Sequence, residues 1–219
     1  MEASGPDGSQ PDDRAAALRE LAAAVSACTD CDLYKGATRA VPGEGNPYAE
    51  VMFIGEGPGF HEDRLGRPFV GPAGQFLDQL IRSIGLERKD VFIANVVKHR
   101  PPNNRDPLPG EIAACKKWLD RQIEIIRPRV IVTLGRYSMN RYFPGQSISR
   151  IHGQPRRVGD VWVIPMYHPA AALHQASLRR TIESDFLQVR AVLDRLAKER
   201  ERPQQAAIPE PEPQQMRLL

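Results

Sequence analysis

The chain has few cysteines, few aromatic residues and little net charge. These scarcities limit the classes of protein to which the chain can belong. Three cysteines in 219 residues are too sparse, and odd in number, for the disulfide framework of a small secreted domain. No apolar run approaches the roughly 20 residues that a membrane-spanning helix requires. A formal net charge of +3 permits nucleic-acid binding but does not by itself indicate it. With no secretory or transit signal, we expect a cytoplasmic protein without a membrane partner.

The composition divides the chain into one domain and two tails. Residues 1–11 are mostly Gly, Ser, Asp and Pro, and residues 200–219 are rich in Glu, Pro and Gln. Such segments bury too little apolar surface to fold, so both tails are predicted to be disordered. Residues 12–199 are numerous enough to bury a core of their own. We therefore expect a single domain over this range, and a monomer.

Apolar periodicity predicts helices and strands that alternate along the domain. Helices are predicted over residues 13–25, 73–84, 109–126 and 178–199. Strands are predicted over residues 51–54, 91–97, 130–134 and 161–165, with a shorter one at 157–158. This alternation is typical of the α/β class, in which helices cover both faces of a mostly parallel sheet. Such sheets bind ligands at the carboxyl ends of their strands.

Polar residues follow three of the predicted strands, at the point where each strand ends. Glu56 follows the first strand, Asn95 lies at the end of the second, and His168 follows the last. A buried sheet has no structural need for a carboxylate, an amide and an imidazole at neighbouring strand ends. The three positions therefore predict a pocket at this edge of the sheet.

The glycine-rich sequence GEGPG at residues 55–59 is not a dinucleotide-binding loop. Its spacing is GxGxG rather than GxGxxG, Pro58 lacks a backbone donor, and no helix is predicted directly after the motif. A tight loop that brings a flat ligand close to the backbone, with Glu56 pointing at that ligand, is the better interpretation. Gly55 and Gly57 are then predicted substrate-binding residues.

Three cysteines and one histidine form a candidate metal site. Cys28 and Cys31 form a CxxC pair, Cys115 stands alone, and His99 precedes it by sixteen positions. A CxxC pair by itself fits a redox, zinc or cluster site, and an isolated His99 would be an ordinary loop residue. Together, the four donors suit either a zinc ion or an iron–sulfur cluster.

Five ordered motifs carry a resemblance to a known family. They are GEGPG at 55–59, GRPFVGPAG at 66–74, NVVK at 95–98, RPPNNRDP at 100–107 and HPAAAL at 168–173. Over about residues 24–195 the chain resembles the family 4 uracil-DNA glycosylases, the iron–sulfur members of their superfamily. The resemblance implies a three-layer α/β/α sandwich with a central four-stranded parallel sheet, and a [4Fe–4S] cluster. It also implies excision of uracil from single- and double-stranded DNA in base excision repair.

One position departs from the pattern of that family. Typical members carry a fourth cysteine where this chain has His99, so the resemblance implies His99 as the fourth ligand of a structural cluster. A DNA-cross-linking branch of the superfamily is similar in having histidine here. That branch also carries a basic insertion with a reactive histidine, and has Gln in place of Gly57. This chain keeps Gly57 and has no such insertion between residues 100 and 115, so we expect an enzyme that turns over.

The chemistry of uracil excision assigns a role to each pocket residue. Breaking the N-glycosidic bond leaves positive charge on the sugar and negative charge on the departing base. Phe69 is expected to stack on the flipped base, and Asn95 to pair with its O4 and N3–H edge. His168 would donate to uracil O2, and Glu56 would orient the attacking water, a role that Glu62 could share or take over. Each of these residues also has a purely structural alternative. Phe69 could belong to the core, Asn95 to a turn and His168 to a helix cap, and the two glutamates could be ordinary loop carboxylates.

Four further residues are candidates for DNA contacts. Arg100, Arg105 and Arg179 lie in segments that could reach phosphates, which supply most sequence-independent affinity. In the family the segment after the His-Pro pair enters the minor groove, so Leu173 is a candidate wedge for the vacated base stack. The alternative for Leu173 is a place in the core.

The sequence also allows two other functions and indicates one partner protein. The chain could be a zinc-stabilised nucleic-acid binding module without catalysis, since three cysteines and a histidine also suit zinc. It could instead be a related glycosylase that prefers hypoxanthine or mismatched thymine. The C-terminal residues 214–219, QQMRLL, resemble the short peptides by which bacterial repair proteins bind the sliding clamp.

Overall fold

The computed structural model describes residues 13–173 and 175–205, which form a sheet covered by helices. The strands are β1 (Glu44–Gly45), β2 (Val51–Gly55), β3 (Phe92–Asn95), β4 (Val130–Leu134), β5 (Arg156–Val158) and β6 (Val161–Met166). They are ordered β1-β3-β2-β4-β6-β5. The four central strands are parallel, and β1 and β5 add antiparallel edges. The predicted four-stranded parallel sheet is confirmed.

Helices cover both faces of this sheet. They are α1 (Arg14–Ser26), α2 (Leu33–Gly36), α3 (Phe60–Leu65), α4 (Pro72–Ser83), α5 (Pro109–Ile126), α6 (Arg136–Asn140), α7 (Ile148–Ile151) and α8 (Ala176–Gln205). Successive strand residues point to opposite faces. Phe53 of β2 belongs to the core shared with α4 and α8, whereas Met52 and Ile54 belong to the core shared with α5, α6 and α7. The result is the expected three-layer α/β/α sandwich.

Local chemistry shifts several element boundaries from those predicted. Helix α1 begins after Asp13 because the Asp13 Oδ1 caps it, accepting a hydrogen bond from the Ala16 N–H at 2.8 Å. The expectation that no helix follows GEGPG is wrong, since α3 begins at Phe60, although it spans only six residues. The short edge strand β1 was not predicted, because two residues carry no periodicity.

Part of the predicted C-terminal tail is helical. Helix α8 continues to Gln205, beyond its predicted end at residue 199 and into the segment predicted as a tail. The remainder of both predicted tails, including the QQMRLL sequence, lies outside the described residues. Within the described residues, no helix combines the length and the apolar content that crossing a bilayer demands.

Candidate functional site

A cavity of about 350 Å³ lies at the carboxyl ends of β2, β3 and β6, and its size is typical of small-molecule sites. It brings together Glu56, Asn95 and His168, the three polar residues predicted at neighbouring strand ends. Its other lining residues are Gly57, Pro58, Gly59, Glu62, Phe69, Ala73, Pro101, Asn104, Arg105 and Ala170. The predicted pocket residues therefore share one site, apart from Gly55, which lies behind it.

Asn95 ends β3 with its side chain buried at 2% exposure. Among the residues that the structure describes, its Oδ1 has no hydrogen-bond partner. A buried unpaired oxygen is costly, so a ligand that donates a hydrogen to it gains the missing bond. A Cβ at Gly55 would lie 2.4 Å from this oxygen and 2.6 Å from the Phe69 ring. Gly55 is thus the residue that allows the amide and the ring to meet.

Phe69 sits in a loop whose backbone is held from behind by Arg88. The Phe69 φ of +50° lies in the left-handed region, which is uncommon for a bulky residue and requires support. Arg88 donates to the Phe69 carbonyl at 3.2 Å and also to the Pro68 carbonyl. The carboxylates of Glu44 and Asp78 fix the guanidinium at 2.9 Å each. Arg88 therefore stabilises the conformation that presents the ring to the pocket.

Glu62 binds the same loop from the pocket side. Its Oε1 accepts hydrogen bonds from the Val70 N–H at 2.8 Å and the Gly71 N–H at 3.0 Å. This oxygen is therefore committed to holding the backbone next to Phe69. The arrangement favours a positioning role for Glu62 and leaves Glu56 as the pocket carboxylate that accepts no hydrogen bond from the described residues.

His168 is held as a neutral imidazole. Its Nδ1 accepts a hydrogen bond from the Ala170 N–H at 3.2 Å, so the ring proton belongs on Nε2. Burial lowers the His168 pKa to about 4, and the nearby Glu62 opposes this only in part. The ring stacks against Phe69 with centroids 5.5 Å apart. At neutral pH His168 is thus an uncharged donor beside the aromatic wall of the pocket.

Glu56 has a different electrostatic setting. Burial raises its pKa above the ordinary value, the Asp106 carboxylate raises it further, and Arg136 opposes both. Arg136 is itself paired with Asp106. A carboxylate whose pKa is raised toward neutrality is a better proton acceptor, which suits the activation of a water molecule.

The loop that carries Glu56 continues the sheet beyond β2 and β3. The Val96 and Val97 N–H groups donate to the carbonyls of Gly55 and Glu56, at 3.1 Å each. A Cβ at Gly57 would lie 2.8 Å from the Val97 side chain. Because valine is stiff about its χ1 torsion, this contact leaves no room for a larger residue at position 57.

Lys98 connects the pocket to the cysteines. Its side chain is fully buried, and its Nζ donates to the Asn95 carbonyl at 2.9 Å and to Gln122 Oε1 at 2.7 Å. Burial lowers the Lys98 pKa to about 7, and Cys115 opposes this. The Lys98 backbone N–H donates to Cys115 Sγ at 3.3 Å. Residues 95–98 therefore contact both the pocket, through Asn95, and the cysteines, through Lys98.

The four candidate metal ligands come from separate parts of the chain and converge. Cys28 follows α1, Cys31 precedes α2, Cys115 lies on α5, and His99 follows Lys98. Cys28 and His99 line the same cavity. The pKa of Cys115 is raised to about 11, chiefly by burial and with a smaller contribution from the neighbouring Cys31 and Cys28, while the Lys98 N–H and charge oppose the rise.

The chemistry of this donor set fits an iron–sulfur cluster. Besides the Lys98 hydrogen bond to Cys115, the Trp118 indole donates to Cys28 Sγ at 3.3 Å. N–H groups directed at sulfur stabilise thiolate charge and tune clusters. Across residues 13–173 and 175–205, no three His, Cys, Asp or Glu side chains lie in an arrangement that could hold a metal ion.

The predicted DNA-binding residues differ in their surroundings. Arg100 donates to Asn104 at 2.7 Å, at the pocket rim. Arg105 forms a two-pronged ion pair with Glu111 at 2.6 and 2.9 Å, so a phosphate would have to compete with that carboxylate. Leu173 is 45% exposed, which rules out the core alternative. Arg179 lies on α8, outside the pocket lining, and contacts Gln79 and Glu183.

Several supporting residues were missed by sequence reasoning. Arg88 and Lys98 act through backbone carbonyls, and Asp106 and Arg136 act through the charge that they place near Glu56. Lys98 and Asp106 lie within the NVVK and RPPNNRDP motifs, and that position could have marked them as candidates. Nothing in the sequence marks Arg88 or Arg136.

Comparisons of the amino-acid sequence with known proteins give one family model and several relatives. The family model described as "Uracil DNA glycosylase superfamily" matches residues 42–193. The chain is 50% identical over 183 residues to a type-4 uracil-DNA glycosylase of Sulfurisphaera tokodaii, covering 79% of this chain and 83% of the relative. It is 47% identical over 181 residues to the type-4 enzyme of Archaeoglobus fulgidus, covering 78% and 91%. A type-5 uracil-DNA glycosylase of Pyrobaculum aerophilum is 32% identical over 164 residues, covering 67% and 72%.

Proposed function

The chain belongs to the uracil-DNA glycosylase superfamily, and from that premise we propose that it excises uracil from DNA by hydrolysis in the pocket described above. The observation that carries the proposal is the buried Asn95 Oδ1, which lacks a partner among the described residues and lies beside an aromatic wall. Uracil supplies the N3–H donor that this oxygen lacks. Family membership and the relatives' names also favour catalysis over a zinc-stabilised binding module.

Base recognition follows from the hydrogen-bonding edges. A base can reach this pocket only after it has been flipped out of the stack, where it would lie against Phe69. The Asn95 amide accepts from uracil N3–H and donates to O4. Cytosine presents an acceptor at N3 and a donor at N4, so both groups would be mismatched. Each buried unpaired group costs about 1–3 kcal/mol, which is enough to discriminate between the two bases.

Bond cleavage requires two charges to be stabilised. Negative charge develops on the departing uracil, and the neutral His168 Nε2–H is the donor assigned to its O2. Positive charge develops on the sugar, and the ionised Glu56 both faces that charge and orients water for attack. Glu62 and Arg88 contribute by keeping Phe69 in place.

Uracil release is the direct test of the function. Protein loaded with its cluster should release free uracil from single- and double-stranded oligonucleotides without an added cofactor and without strand cleavage. Parallel oligonucleotides with hypoxanthine or a thymine mismatch measure lesion preference, and faster release from either would reassign the preferred substrate. Folded protein that releases no detectable uracil would contradict the proposal.

Cys28, Cys31, His99 and Cys115 are proposed to hold a [4Fe–4S] cluster. When bound, the cluster would act as a structural cross-link between the α1–α2 region, α5 and the segment after β3. The support for this assignment is the convergence of three thiols and an imidazole, together with the N–H donors directed at two of the sulfurs. A cytoplasmic location, a monomeric state and sliding-clamp binding through residues 214–219 also remain proposals, which rest on the sequence.

Asn95→Asp should reverse part of the base selectivity. The substitution keeps the shape but removes the amide donor, so uracil release should fall about 10–100-fold, the cost of one unpaired buried group. A protonated aspartate would match cytosine, so weak cytosine release is the expected gain. The matched control is Asn46→Asp, where the side-chain oxygen only accepts from the Tyr48 N–H. Unchanged selectivity in Asn95→Asp would show that Asn95 does not read the base.

A further inference from the structure

An exposed aromatic residue at the mouth of the pocket has no role in the chemistry above. Phe60 begins α3 directly after Gly59, which lines the cavity, and it remains 47% exposed. The His61 ring contacts Phe60 edge-on with centroids 5.6 Å apart. The position therefore places an apolar, flat surface next to the entrance that a flipped base must use.

Two guanidinium groups from different segments accompany this ring. Arg64, from the same helix, lies 5.7 Å from the ring centroid, and Arg100 lies 5.2 Å from it. Arg100 immediately precedes Pro101, which lines the cavity. In the described part of the chain, neither arginine forms an ion pair with a carboxylate. An aromatic surface with two cations uncommitted to acidic partners is the composition of a site for single-stranded nucleic acid.

We infer that Phe60 stacks on an unpaired base next to the flipped uracil, and that Arg64 and Arg100 bind the phosphates on either side. The inference rests on the proposed function and specifies the form of DNA that the mouth of the pocket favours. An exposed cation–π contact is weaker than base–aromatic stacking, so the guanidiniums can leave the ring for phosphates when DNA binds. In a duplex the neighbouring base stays paired with its complement and stacked on its other side, so it cannot turn out of the helix to meet Phe60.

The test compares binding to single strands and duplexes of the same sequence. Both carry a 2′-fluorinated deoxyuridine, which resists hydrolysis, so that affinity is measured without turnover. Phe60→Ala should weaken single-strand binding about tenfold, the size expected for one lost stacked base, while duplex binding changes about twofold or less. Phe60→Trp should retain single-strand affinity because indole stacks at least as well as phenyl.

A matched control is available at Tyr48. This residue is also an exposed aromatic, at 51%, and Arg14 lies 5.1 Å from its ring centroid. It precedes β2 and therefore lies at the opposite edge of the sheet from the pocket. Tyr48→Ala should leave both affinities unchanged.

The arginines are tested by salt dependence. Arg64→Gln and Arg100→Gln should each reduce the slope of log affinity against log salt by about 0.7 for a single strand, as loss of one phosphate contact predicts. Unchanged single-strand affinity in Phe60→Ala, an equal loss in duplex, or unchanged salt slopes would each overturn the inference. The proposed function fails separately, if wild-type protein releases no uracil from an ordinary deoxyuridine substrate.

Discussion

Replacing His168 with alanine is expected to lower the rate of uracil release by about 10²–10³, with little change in DNA affinity, because the lost donor acts mainly on charge that develops during bond cleavage. The structure holds this imidazole neutral and in one tautomer, with Nε2–H available and Nδ1 engaged by the Ala170 N–H. The measurement is single-turnover release of uracil, combined with binding of a non-hydrolysable substrate.

A conservative variant distinguishes this role from a structural one. His168→Gln can keep an N–H donor and should recover part of the rate that His168→Ala loses. A wild-type rate in His168→Ala would show that the wrong residue has been assigned. Because the His168 stack on Phe69 also shapes the pocket, unaltered thermal stability in both variants is the required control.

The pH profile gives a further check on the same assignment. Glu56 must be ionised to act, so activity should fall as the pH drops through its pKa, which burial and Asp106 raise. His168 must be neutral, and with a pKa of about 4 it should lose function only at more acid pH. A fall in activity near the ordinary histidine pKa of about 6.5 that disappears in His168→Gln would contradict this order.

The second large effect is expected at His99. His99→Ala should remove a ligand outright and weaken metal binding by more than the roughly 10–100-fold that loss of a supporting hydrogen bond costs. Iron content and visible absorption measure cluster occupancy, and thermal unfolding measures the accompanying loss of stability. His152→Ala is the matched control, because His152 pairs with Asp185 away from the cysteines.

His99→Cys separates ligation from a merely structural role. A thiolate adds a negative charge that a neutral imidazole lacks, so the cluster should assemble but its reduction potential should fall by on the order of 100 mV. Uracil release should remain near the wild-type rate. If His99→Ala keeps full iron content and stability, His99 is not the fourth ligand, although the glycosylase assignment would survive.

The sequence predicts the fold and the position of the pocket better than it predicts the short helix and the side chains that hold the pocket in shape. Strand periodicity located the ends at which Glu56, Asn95 and His168 meet, since the ends of parallel strands share one edge. Helix α3 was missed because a six-residue helix leaves too little periodicity to detect. The contact between Arg88 and Phe69 depends on the positive φ of Phe69. A bulky residue rarely adopts this conformation, so the sequence gives no sign of it.

The buried Lys98 has a consequence for engineering this scaffold. The Lys98 side chain donates to the carbonyl of Asn95, the proposed base-reading residue, and its backbone N–H donates to Cys115, a proposed metal ligand. If both proposals hold, the two roles share one support and cannot be separated into interchangeable modules. A designer who transplants the recognition amide into another protein must also transplant the lysine, its glutamine partner and the sulfur-bearing helix, or supply a new support for the strand end.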